Sequence, residues 1–111
     1  MKRRKRSPPD PATIAALTDG IEAELRKCGL WQAKPLPEEK LDFREAFAMD
    51  TMTFAQWLQF VFVPRVREAI STGEFPDRSD VGAQAVREFD GAPDAGELVR
   101  LLSLFDLQFG R

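Results

Sequence analysis

The sequence contains no histidine and no tyrosine, and it has a single cysteine, Cys28. Without histidine, general acid–base catalysis loses its commonest carrier and the usual zinc ligand sets cannot be assembled. A lone cysteine closes no internal disulfide, and Cys28, on a predicted apolar helix face beside Lys27, fits a small buried residue better than a nucleophile. There is no Gly-rich phosphate loop. The neighbouring acids Glu38, Glu39, Asp77 and Asp80 fall in loop-like stretches open to solvent. These absences argue against an enzyme and against a metal or other cofactor.

Long apolar runs are missing too. The longest, Phe60 to Val63 among them, have four residues, against the roughly 18 that a membrane span needs. The stretch Ile14 to Leu17 is too short for a signal-peptide core and is followed by Asp19. The expected location is the cytoplasm.

What the chain does have is length and apolar content for one compact domain: 111 residues, 43% hydrophobic and 31% charged. A domain of this size buries roughly two-thirds of its unfolded surface. Its charge is divided. Lys2, Arg3, Arg4, Lys5 and Arg6 supply 5 of the 16 basic residues, so residues 7–111 carry 11 basic against 18 acidic, a net of −7. A nucleic-acid surface needs clustered Lys and Arg, which only this tail supplies. Ser7-Pro8-Pro9-Asp10-Pro11 then biases the backbone away from helix, so residues 1–11 are expected to be a mobile basic arm ahead of a domain at 12–111.

No segment alternates as a strand does, and the periodicities predict an all-α, four-helix bundle-like domain. Ile14, Leu17, Ile21, Leu25 and Cys28 share a helix face that Gly29 ends, with Trp31 folding back on that end. In the long connection 29–52, a short helix near Glu38 to Phe47 is expected, its apolar residues covering the core edge. The clearest start lies at Thr53, with Gln56 completing a capping box and Met52 against Trp57 as a hydrophobic staple. From there Phe54, Trp57, Leu58, Phe60, Val61, Phe62 and Val63 cover every side of the helix, as in an element buried on several sides. This central helix spans about 53–72, kinked where Pro64 lacks a donor and crowds the Phe60 carbonyl. A third helix is expected over Asp80 to Phe89, with Ser79 as cap and Val81, Ala85, Val86 and Phe89 inward. A fourth starts at Asp94, with Glu97 at its third helical position and Leu98, Leu101, Leu102, Phe105 and Phe109 on one side.

The run Phe47-Ala48-Met49-Asp50-Thr51-Met52, then Trp57-Leu58-Gln59-Phe60-Val61, then Val63-Pro64-Arg65, resembles the signature of the YqcC-like family of small bacterial helical proteins. Weaker likeness at Trp31 and in the Leu-rich last helix extends the resemblance over most of residues 12–109. The sequence departs from the usual pattern at Gln56, where an acid is common, at Phe60, where a second tryptophan is common, and at Ala46, where a proline is frequent. The resemblance implies a small helical bundle and, from the association of such genes with one for a tRNA pseudouridine synthase, a role near tRNA modification with that synthase as protein partner.

Two readings stand for each candidate site. Asp50, Thr51, Thr53, Gln59 and Arg65 either cap the central helix and its loop or form a polar cluster that binds a partner or anion; capping is favoured. Arg65, beside Pro64, can hold the freed Phe60 carbonyl or reach a carboxylate elsewhere. Trp57, Phe60 and Phe62 either pack in the core or leave an exposed remainder that marks a protein partner or homodimer surface. The interaction surface expected on these grounds comprises Met49, Asp50, Thr51, Trp57, Gln59, Phe60, Pro64 and Arg65. Lys2 to Arg6 are either an unstructured end or an arm contacting RNA phosphates. A pocket at the Pro64 bend for a small molecule is the third alternative.

Overall fold

The computed structural model describes residues 9–109, and in them every regular element is helical. Helix α1 runs Pro11–Lys27. Asp10 caps it, accepting from the Thr13 N–H at 3.3 Å and the Thr13 hydroxyl at 2.8 Å, with Pro11 in the first position where no donor is missed. Its far end closes as a Schellman motif. Gly29 adopts φ +73°, its N–H donates to the Arg26 carbonyl at 3.1 Å, and the Leu30 N–H donates to the Leu25 carbonyl at 2.8 Å. Trp31 folds back onto this end, as expected, with the Arg26 guanidinium 4.3 Å from its ring centroid.

The central helix, α2, occupies 54–72 in three consecutive pieces: an α-helical start Phe54–Trp57, a π-helical turn Leu58–Phe62 and an α-helical remainder Val63–Thr72. The start signal works as read. Thr53 accepts from the Gln56 N–H at 3.1 Å, and Gln56 Oε1 accepts from the Thr53 N–H at 2.9 Å. Met52 and Trp57 meet in one small cluster. The perturbation expected at Pro64 takes the form of the π turn just ahead of it, in which the Val63 N–H reaches back to the Leu58 carbonyl. A widened turn is one of the ways a helix absorbs a residue that cannot donate.

Helix α3 covers Val81–Glu88 and α4 covers Gly96–Leu107, preceded by a 3-10 turn Pro93–Ala95. These two pack on each other, and α1 packs on both α4 and the second half of α2. The core between them contains Ile14, Ile21, Leu25, Leu58, Leu98 and Leu102, all fully buried. Each such side chain contributes about 2–5 kcal/mol by the measure of truncation to alanine. The close contact of α3 with α4 depends on Gly82, where a Cβ would stand 2.6 Å from Ser103 Cα and 2.8 Å from the Leu102 carbonyl oxygen.

Four local expectations are corrected. The connection before α2 contains no helix over 38–47 but two 3-10 turns, Glu38–Leu41 and Ala46–Ala48. The physical reason is competition: Asp50 takes the Arg44 and Glu45 N–H groups at 3.1 and 3.3 Å, and the Thr51 hydroxyl takes the Lys40 carbonyl at 2.7 Å, so those backbone groups are withdrawn from a helical ladder. Val86 is exposed, because α3 turns Val81, Gly82, Gln84 and Ala85 inward and leaves Val86 beyond the edge of that face. Ser79 does not cap α3 itself. It donates to Asp106 at 2.7 Å, and Asp106, from α4, accepts from the Gly82 and Ala83 N–H groups at 2.8 and 3.3 Å. Asp94 makes no capping bond to α4, and Glu97 instead pairs with Arg100 through two contacts of 2.7 and 2.6 Å.

Candidate functional site

A trough of about 680 Å³ is bounded by α2, the connection 73–80 and the end of α4. Its wall is a chain of aromatic rings in contact, drawn from four parts of the sequence. Phe47 meets Trp57 at 5.0 Å, Trp57 meets Phe62 at 5.6 Å, Phe62 meets Phe105 at 4.9 Å, Phe105 meets Phe109 at 5.0 Å, and Phe109 meets Phe75 at 6.2 Å. All six line the trough. Phe62, Phe105 and Phe109 are buried and anchor the row, while Phe47, Trp57 and Phe75 are half-buried and give it a surface.

Charged side chains stand on the lip. Arg65, Glu68, Glu74, Arg78 and Asp80 all line it. Arg78 approaches Asp80 at 3.8 Å, both well exposed, a pair worth little in water. Arg65 lies 5.9 Å from the Phe43 ring centroid and has no carboxylate within ion-pair distance among the described residues. Arg67, two positions on, faces α1 and pairs with both Asp19 at 3.1 Å and Glu22 at 3.3 Å.

Beside the trough, the motif region is tied down by side chain to backbone bonds. Gln59, 7% exposed, receives the Gln32 N–H on its Oε1 at 2.9 Å and donates from Nε2 to the Gln32 carbonyl at 2.8 Å. Gln56 Nε2 donates to Gln32 Oε1 at 3.0 Å. Partial desolvation pushes the Asp50 carboxyl up, but the N–H groups of Arg44, Glu45 and Asp50 itself, with the Arg44 charge, outweigh it and hold this acid below the ordinary range. Phe47 and Ala48 both adopt positive φ, 57° and 53°, a left-handed conformation uncommon outside glycine. Asp50 and Thr51 hold the segments on either side of this strained pair.

Residues 13–108 match the profile of the DUF446 family, described as tRNA pseudouridine synthase C. The chain belongs to that family. An uncharacterized protein of Haemophilus influenzae is 30% identical to it over 74 residues, covering 63% of this chain and 70% of that protein. A tRNA pseudouridine synthase C of Pectobacterium carotovorum subsp. carotovorum is 40% identical over 52 residues, covering 47% of this chain but 14% of that protein. No solved structure matches the chain. Among the described residues, no helix of this DUF446 protein is long and apolar enough to cross a membrane, and no group of three or more acidic or cysteine side chains is placed to hold a metal.

Of the residues expected to form one surface, the fold brings Trp57 and Arg65 to the trough. Met49 and Pro64 are exposed, and Phe60 is half-buried. Met49 Sδ accepts from Gln84 Nε2 at 3.7 Å, which joins the loop to α3. Gln59 is buried in its bond to Gln32, and Asp50 and Thr51 are engaged by loop backbone. Arg65 and Val66, which follow Pro64 in the chain, line the trough, and Pro64 itself does not. The basic arm Lys2, Arg3, Arg4, Lys5 and Arg6 lies outside the described residues. Sequence reasoning did not anticipate Glu68, Glu74 and Phe75 at the site, since they become neighbours of Phe105 and Phe109 only through the tertiary fold. Phe75, a lone aromatic in an otherwise polar connection, was the available signal.

Proposed function

We propose that this DUF446 protein is a helical docking module that works by contact with a tRNA pseudouridine synthase and carries out no chemistry of its own. The YqcC-like signature and the DUF446 profile are, on this reading, two descriptions of one family. The observation that carries the proposal is the 52-residue similarity to a protein named tRNA pseudouridine synthase C, confined to 14% of that protein's length. The similar segment there is a small part of a much longer chain, and most of that chain has no counterpart here. In that protein the similar segment is covalently joined to the rest of the chain, and such linkage raises the effective concentration of segments that act together.

The chemistry of the trough supports contact in preference to catalysis. It is lined with aromatic side chains, which suit burial against another surface. The carboxyls with displaced pKa values are already engaged: Asp50 and Asp106 by backbone N–H groups, and Glu97 by the Arg100 hydrogen bond and charge that hold it low.

The test combines light scattering and assay. The chain mixed with the synthase of its own organism is expected to elute as a complex of defined stoichiometry, while alone it forms no pseudouridine in a tRNA transcript. Pseudouridine made by the isolated chain would overturn the non-enzymatic reading, and separate elution at low and physiological salt would remove the partner.

A further inference from the structure

We infer that the aromatic trough seats a basic amphipathic helix of the protein partner, with cationic side chains against Glu68 and Glu74 and a carboxylate against Arg65. This deepens the docking reading and rests on it.

The charges on α2 and on the connection that follows it are distributed unequally between the two sides of the helix. On the side that closes against α1, Arg67 is paired twice, with Asp19 and Glu22. On the trough side, Arg65, Glu68 and Glu74 have no ion-pair partner within 4.0 Å among the described residues. Two of those three are acids, and since Arg78 and Asp80 offset each other the lip as a whole is acidic by one charge. The aromatic side chains between them offer apolar surface for burial against an occupant. A net-acidic lip over an aromatic wall therefore favours one chemistry, an apolar stripe flanked by Lys or Arg. Arg65, at the π-turn end, sets the polarity of the occupant by calling for an acid there.

Shape agrees with this choice. The trough is open along one side, where a pocket for a small molecule encloses most of its ligand. A helix laid in a groove needs two walls and a floor, which α2 and the end of α4 with the 73–80 connection supply. Single-stranded RNA also uses aromatic rings for stacking, but its phosphates would meet a lip on which Glu68, Glu74 and Asp80 outnumber Arg65 and Arg78.

The experiment measures affinity for the synthase of the same organism by titration calorimetry, using the full chain, the double variant Glu68→Lys/Glu74→Lys, the groove-filling Ala69→Arg, and Arg100→Ala as a control away from the trough. Circular dichroism reports folding of each. Glu68 and Glu74 have no partner to lose within the described residues, so the charge reversal leaves the fold intact. The expected result is at least a tenfold loss of affinity for the double variant and for Ala69→Arg, none for Arg100→Ala, and a weaker salt dependence in the double variant. Native protein that binds the synthase while both groove variants bind equally well would overturn the groove and leave the docking reading standing; native protein that does not bind would remove both. Two further outcomes reassign the trough. Tighter tRNA retention by native protein than by Ala69→Arg would give it to RNA, and a gain in synthase affinity on deleting residues 2–6 would give it to this chain's own basic segment.

Discussion

Two aspartates organise two parts of this molecule by the same device, and the surroundings of each give it opposite character. Asp106 reaches from α4 to the first N–H groups of α3, in a region where Gly82 lets two helix backbones come together. Asp50 reaches back to Arg44 and Glu45 across an exposed loop that rests on a small satellite cluster of Ala48, Met52 and Val61. Desolvation raises the Asp106 pKa against the lowering effect of Ser79 and the N–H groups of Gly82, Ala83 and Val81. At Asp50 the hydrogen bonds win and the pKa falls. The helix pair is thus held by packing that partly desolvates its carboxylate, and the loop by polar bonds that favour an ionised one.

The sharpest way to break the helix pair is at Gly82. Gly82→Ala places a methyl 2.6 Å from Ser103 Cα, a backbone atom that cannot rotate away. A loss of about 3 kcal/mol is expected, at the upper end for overpacking, read from urea denaturation midpoints at constant slope. A variant as stable as the native chain would mean that the helices can separate at no cost, contrary to the packing described.

Removing the tertiary cap is the next largest effect. Asp106→Ala leaves the Gly82 and Ala83 N–H groups without their acceptor and should cost about 1–2 kcal/mol, the range for loss of a helix N-cap. Amide exchange should quicken at Gly82 and Ala83 while the loop at Arg44 and Glu45 is unaffected. Asp50→Ala should do the reverse, quickening Arg44 and Glu45 alone.

The pH dependences should differ in sign. A carboxyl whose folded pKa is lowered contributes stability above its unfolded pKa and loses it as pH falls through the folded value, so acid should loosen the Asp50 loop. A carboxyl whose folded pKa is raised contributes stability below its unfolded pKa, and this is lost as pH rises through the folded value, so the Asp106 contribution should fade on leaving acid. Carbon-detected titration of the two side chains would decide it: Asp106 titrating at a lower pH than Asp50 is the outcome that defeats the comparison.

How far each region was legible in the sequence follows from the range of the forces involved. The four helices, the Thr53–Gln56 capping box, the Met52–Trp57 staple and the Gly29 stop are set by residues within five positions of one another, and periodicity or capping chemistry reveals them. The Asp106 cap, the Gln59 bond to Gln32 and the unpaired acids of the trough join residues far apart in the chain, with nothing local to announce them. The loop before α2 misled for a third reason. Leu41, Phe43, Ala46 and Phe47 fit helical spacing approximately, but Asp50 and Thr51 outbid the ladder for its backbone groups. The same rivalry accounts for Gln59, which reads as a candidate surface residue and is a buried amide that pins a neighbouring segment.

The smallest expected effect probes the strain in that loop. Ala48 has φ 53° and is fully buried. Replacing it with glycine relieves a left-handed backbone, worth roughly 1–2 kcal/mol for an L-residue, but it also loosens the unfolded chain by about 0.4–1 kcal/mol and removes a buried methyl worth about 0.8 kcal/mol. These terms oppose one another, so Ala48→Gly should shift stability by under about 0.8 kcal/mol in either direction. Ala85→Gly, in the middle of α3 with the same full burial, has no strain to relieve and should lose about 1–2 kcal/mol from propensity and the lost methyl together. Equal losses at the two sites in thermal unfolding would show that Ala48 stores no strain, and the loop would then be held by its apolar cluster as the helices are by theirs.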